Sequence, residues 1–113
     1  MEYDSRSENG VTILMLRGPI DVSQAYELRD VLGSLVDGPS ARVLLDLGEV
    51  TLLDSSGIGL LVTAHRRAVE SGARLVIARP LPPVERVFNM TRTDQLLRIV
   101  PTLEEGLAAL NGG

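Results

Sequence analysis

The spacing of hydrophobic residues changes period several times along the chain, and each change marks an element. Val11-Thr12-Ile13-Leu14-Met15-Leu16 is apolar and β-branched and is closed by Gly18-Pro19, which predicts a strand. A weaker strand is expected from Tyr3 to Ser7, turning at Asn9-Gly10, a dipeptide suited to hairpins. After Asp21-Val22-Ser23, the apolar residues Ala25, Leu28, Val31, Leu32, Leu35 and Val36 recur at helical spacing, so an amphipathic helix follows and Gly38-Pro39 ends it.

Val43-Leu44-Leu45-Asp46-Leu47 is a short, nearly unbroken apolar run between turn residues, the pattern of a central parallel strand covered on both faces. Beyond residue 57, Ile58, Leu61, Val62, Ala68 and Val69 form one helical stripe and Thr63, Arg66, Arg67 and Glu70 the opposite polar one, with Gly72 as a stop. A strand at Arg74 to Ala78, a helix from about Pro83 to Met90, a short strand from Leu97 to Val100 and a helix from Leu103 to Leu110 complete the series. Pro80, Pro82 and Pro101 punctuate it, and Asn111-Gly112-Gly113 is expected to fray. Strands alternating with helices imply crossover connections and an α/β sandwich, and 113 residues suit a single domain spanning the chain.

Composition narrows the function. One Phe, two Tyr and no Trp leave few stacking platforms for single-stranded nucleic acid. A net charge of -4, with no basic run longer than Arg66-Arg67, disfavours binding to a phosphate backbone. All eleven basic residues are Arg, which reads as a trace of base composition rather than a site. Without cysteine there is no disulfide, thiolate nucleophile or Cys-ligated zinc. The acidic start Met1-Glu2-Tyr3-Asp4 lacks the features of a secretory signal and no run is long enough to span a bilayer, so a cytoplasmic location without membrane insertion is expected. Asn89-Met90-Thr91 fits a glycosylation sequon but would not meet the transferase there.

One stretch exceeds what folding needs. Leu52-Leu53-Asp54-Ser55-Ser56-Gly57-Ile58-Gly59-Leu60-Leu61-Val62 places an acid, two hydroxyls and two glycines at a predicted strand-to-helix junction. A helix cap needs only one of Asp54, Ser55 and Ser56, and each glycine in the first turns costs about 1 kcal/mol relative to Ala. The lone histidine, His65, lies nine or ten positions along the helix, roughly 14 Å from either serine, too far to act as a base. The flanking Gly-x-Ser-x-Gly elbow of hydrolases is absent, so no catalytic serine is assigned. His65 falls at the edge of the apolar stripe with no partner at metal-site spacing, so no metal is assigned. Gly57-Ile58-Gly59 opens like a dinucleotide fingerprint, but Val62 stands where the third glycine belongs and Asp54 would repel a pyrophosphate. A structural junction remains open, as does phosphorylation, since an exposed helix start accommodates a phosphate.

Taken together, these residues resemble the STAS family, most closely its bacterial anti-sigma factor antagonists, over nearly the whole chain. Val43 to Leu47 followed by Val50-Thr51-Leu52-Leu53-Asp54-Ser55-Ser56-Gly57-Ile58-Gly59 resembles the family's strand, loop and Asp-Ser-Ser-Gly helix start. Arg17-Gly18-Pro19-Ile20-Asp21 resembles its Gly-x-x-Asp segment, although Pro19 stands where a non-proline residue is commoner. The Arg74 to Ala78 strand with Pro80 resembles its later strand and proline turn. The resemblance implies a single STAS-like domain with a mixed β-sheet of about four to five strands covered by α-helices.

It also implies that Ser55 is the phosphoacceptor, that Ser56 caps the helix or shapes the loop, and that Asp54, Asp21 and Gly57 shape the site or contribute to partner recognition. The chain would then be a substrate, not an enzyme, with no cofactor of its own. Unphosphorylated, it would bind an anti-sigma factor with serine kinase activity and free a sigma factor; phosphorylation of Ser55 would end the complex and a phosphatase would reset it. Leu60, Thr63 and Arg67 on one side of the helix are the expected contact face, and a monomer or weak dimer suffices. Two other classes stand beside this one: a structural module of a lipid-transport or stress-signalling assembly, and a small-molecule module using the loops after Leu16 and Leu53, where Asp21 and Asp54 disfavour an anion.

Overall fold

Asn9 and Gly10 both take positive φ, 52° and 81°, and so make the tight turn that folds β1 (Glu2–Glu8) antiparallel onto β2 (Val11–Ile20). From β2 onward every pair is parallel: β2 with β3 (Arg42–Leu53), β3 with β4 (Arg74–Ala78), and β4 with β5 (Ile99–Val100). Parallel neighbours need crossovers. These are α1 (Val22–Leu35), α2 (Ser55–Ser71) and α3 (Pro82–Thr91), the last followed by a 3₁₀ turn at Thr93–Gln95; α4 (Leu103–Asn111) follows β5. The computed structural model describes residues 1–111 as this five-stranded mixed sheet with helices on both faces.

Strand alternation divides the core into two layers. Leu14 and Leu16, Val43, Leu45 and Leu47, and Leu75 and Ile77 face α1, α2 and α3. Val11, Ile13, Leu44, Val76 and Ala78 face α4, whose Leu103, Leu107 and Leu110 cover them. The central strand is thus buried on both sides, as its apolar run predicts. Gly106 lets α4 lie close, since a Cβ there would come within 2.4 Å of Leu44 Cδ1.

Two expectations need correction. Strand β3 runs to Leu53 rather than ending at Leu47, because β2 continues beside it through two register irregularities and pairs as far as Ile20 with Leu53. Val69 is not in the buried stripe of α2; it is 65% exposed, because the buried face turns towards Gly57 and Ala64, the small residues that let the helix approach the sheet. Asn111, where fraying was expected, ends α4, and its side-chain oxygen accepts from Arg42 Nη1 at 3.1 Å. The fraying expected at Gly112 and Gly113 lies outside the described residues.

One charge sits inside. The Asp46 carboxylate on β3 is fully buried and accepts from the Gly48 backbone at 2.9 Å and from Arg79 Nε and Nη2 at 3.0 and 2.9 Å. Arg79 follows β4 in the left-handed region, φ 59°, which turns its side chain back across β3; a Cβ on Gly48 would meet its guanidinium at 2.5 Å. The hydrogen bonds to Asp46 raise the Arg79 pKa above the ordinary arginine value. Asp46 is buried while the Arg79 side chain is 41% exposed, and the Gly48 N–H remains on the carboxylate without it, so Arg79→Ala is expected to destabilise the fold by about 1–3 kcal/mol in chemical denaturation. Loss of less than about 1 kcal/mol would show that solvent reaches Asp46 readily.

Candidate functional site

Strands β2 and β3 stop level with each other, Ile20 opposite Leu53, and a helix begins two residues later on each, after a single aspartate. The Asp54 N–H donates to Ile20 O at 3.3 Å, which ties the two junctions together. Both are capped by their aspartates. Asp21 Oδ1 accepts from the Ser23 N–H at 2.8 Å while the Asp21 N–H donates to Gln24 Oε1 at 3.1 Å, a reciprocal cap on α1. Asp54 Oδ1 accepts from the Gly57 N–H at 3.1 Å and caps α2. Pro19 fits because Gly18, at φ 80°, opens an irregularity just before it, and Asp21 keeps its place.

Asp54 therefore performs the capping that the sequence reading allowed to Ser56. Both serines lie in the first turn of α2, where Ser55 is exposed and Ser56 half-buried. Their backbone N–H groups belong to the unpaired amides at a helix start, which favour a nearby anion. Gly57 and Gly59 differ in kind. A Cβ on Gly57 would stand 2.4 Å from Leu53 Cδ1 and 3.4 Å from Ile20 Cγ2, so glycine there is a packing requirement. A Cβ on Gly59 would meet nothing within 4 Å.

Gly59 instead faces a shallow groove of about 210 Å³ between α1 and α2, lined by Ser56, Leu60 and Thr63 and by Tyr26 and Arg29 across from them. Tyr26 is 65% exposed, with the Arg29 guanidinium 5.2 Å from its ring centre. The sequence reading missed both; the signal was an aromatic on the polar side of the α1 stripe. Thr63 Oγ1 donates to Gly59 O at 3.0 Å. Arg67 lies further along α2, beside Gly33 of α1, and does not line the groove.

His65 lines a different groove, with Arg74 and Arg98, and takes no part at the helix starts. Among the described residues no cluster of three His, Cys, Asp or Glu side chains could hold a metal, and no helix is long and apolar enough to cross a membrane.

The STAS domain model matches residues 2–106. The chain belongs to the STAS domain family. This STAS chain is 32% identical over 106 residues to the anti-sigma-F factor antagonist RsfB of Mycobacterium tuberculosis, covering 93% of this chain and 85% of that one. Its fold is similar to the crystal structure of an anti-sigma factor antagonist from Mycobacterium paratuberculosis, with TM-score 0.85, 23% identity, and coverage of 96% and 92%. It is also similar to the anti-sigma factor antagonist SpoIIAA in its unphosphorylated form, with TM-score 0.78, 20% identity, and coverage of 99% and 98%. At these identities the two solved structures show a common STAS fold and no more.

The two glycines make a paired test. Gly57→Ala overpacks Leu53 by roughly 1–3 kcal/mol, which exceeds the helix-propensity gain of about 1 kcal/mol, so the variant is expected to unfold at lower denaturant. Gly59→Ala keeps only the gain and is expected to stabilise the domain by about 0.5–1 kcal/mol. Equal shifts for both in a urea titration would contradict the different surroundings assigned to them.

Proposed function

We propose that this protein is an anti-sigma factor antagonist switched by phosphorylation of Ser55. The observation that carries the reading is that Asp54 alone caps α2, which leaves an exposed serine hydroxyl with no capping role at a helix start. Relatives named as anti-sigma factor antagonists support it, and SpoIIAA, which shares the fold, is known in both unphosphorylated and phosphorylated forms.

A phosphate on Ser55 adds about -1.5 to -2 charges beside Asp54 at neutral pH. The free amides of the first turn accommodate it, so the fold persists while the surface changes. A partner shaped to the neutral hydroxyl would have to desolvate that charge and is rejected. The partner is an anti-sigma factor with serine kinase activity, which brings its own ATP, and a separate phosphatase restores the hydroxyl. Asp21, Asp54, Ser56 and Gly57 hold the acceptor's surroundings in place. Leu60 and Thr63, with Tyr26 and Arg29 across the groove, form the contact face, and Arg67 extends it; Gly59 leaves that face open for close approach. The whole chain acts as one domain in the cytoplasm, as a monomer or weak dimer, and is a substrate rather than an enzyme.

Titration calorimetry against the host's anti-sigma factor tests this reading. Ser55→Asp and Ser55→Glu are expected to weaken binding by about tenfold or more, equivalent to about 1.4 kcal/mol, while Ser55→Ala binds and is not released on adding ATP. Equal affinity for all three proteins would reject the switch, and a stoichiometric complex indifferent to Ser55 would move the domain to a structural role.

A further inference from the structure

Strand β4 is longer than the strand beside it. β5 pairs only with Ile77 and Ala78, so among the described residues Arg74–Val76 has no strand on that side. The ladder fixes where the backbone points. The Arg74 N–H donates to Ala41 O on the β3 side at 3.0 Å, and the Ile77 N–H donates to Arg98 O on the β5 side at 2.9 Å. Strand alternation then turns the Leu75 N–H and C=O in the same direction as those of Ile77, towards the open edge.

A groove of about 270 Å³ follows this edge, lined by Leu75, by His65 and Val69 of α2, by Leu110 of α4, and by Arg74 and Arg98. No acidic residue lines it, and neither arginine forms an ion pair among the described residues. Val69, displaced from the buried stripe, offers an apolar surface there. The groove thus combines an unpaired strand edge, two guanidinium groups and an aliphatic contact.

We propose that the open half of β4 binds an acidic, extended peptide segment of a partner protein, which adds a strand beside Arg74–Val76. Main-chain hydrogen bonds to Leu75 would set its register, carboxylates would meet Arg74 and Arg98, and an alternate apolar side chain would cover Val69. The positive charge selects this occupant over a neutral or basic strand, because so short an edge offers few backbone bonds. Arg74 is level with Arg42, the first residue of β3, whereas Ser55 lies just beyond its last, so this groove is at the opposite end of the sheet from the phosphoacceptor. Both sites can be occupied together.

The test is an NMR titration of the ¹⁵N-labelled full chain with the capped peptide Glu-Val-Glu-Val-Glu, with Lys-Val-Lys-Val-Lys as control. The acidic peptide is expected to shift the Leu75 amide and slow its exchange, with weakening by added salt, while the basic peptide does neither. Arg74→Glu combined with Arg98→Glu is expected to reduce affinity by about tenfold or more. Arg98→Glu alone, which keeps the Arg74 hydrogen bond to Leu110 O intact, weakens it in the same direction. Ser55→Asp leaves the titration unchanged, which separates this site from the switch. Shifts that spare Leu75, an equal response to the basic peptide, or full affinity in the arginine variants would overturn the proposal. So would sedimentation showing a peptide-free dimer in which Leu75 is already protected, since a second copy would then own the edge.

Discussion

The candidate site depends on two parallel strands ending at the same level. Because Ile20 pairs with Leu53, the helices that follow start side by side, and the backbone bond from Asp54 to Ile20 O locks that alignment. Ser55 has no independent support; its position is inherited from the ladder through the cap of Asp54. A slip of one residue in either strand would offset the two helix starts and turn the buried side chains of that strand outward. The same register that buries the core therefore leaves Ser55 exposed to solvent.

Most of this architecture could be read along the chain, because period and turn chemistry agreed. Asn9-Gly10, the helical spacing from Ala25 to Val36 and the apolar run from Val43 to Leu47 each specify one kind of element, and each formed. What escaped the reading arises between elements distant in sequence. Asp46 looks like an interruption in a greasy strand until Arg79, 33 residues later, reaches it across Gly48. Tyr26 and Arg29 join Ser56 only once α1 lies against α2. The choice of cap among Asp54, Ser55 and Ser56 depends on backbone angles that residue type alone does not set: Asp54 is extended, at φ -94° and ψ -175°, where its side chain can turn back to Gly57.

The distribution of glycine separates folding from recognition. Gly57 and Gly106 sit where a methyl group would strike a neighbouring leucine, and their presence follows from packing. Gly59 sits in the same helix as Gly57 with open space above it, so the fold itself gives no reason to accept its weaker helix propensity. Such a mismatch between local preference and local need marks positions retained for something outside the chain.

The order of strands across the sheet, β1-β2-β3-β4-β5, is also their order along the chain. No strand has to be inserted between two that are already paired; each joins the growing edge left by its predecessor. One hairpin and three successive crossovers join neighbouring strands only, so each closure spans a single connection, although the parallel pairs form more slowly than the hairpin. The sheet can also be laid down from the N-terminus while synthesis continues, with β3 paired on β2 before the residues of β4 have emerged. The helix starts at Asp21 and Asp54 would then be assembled in a nascent chain that still lacks its last two strands.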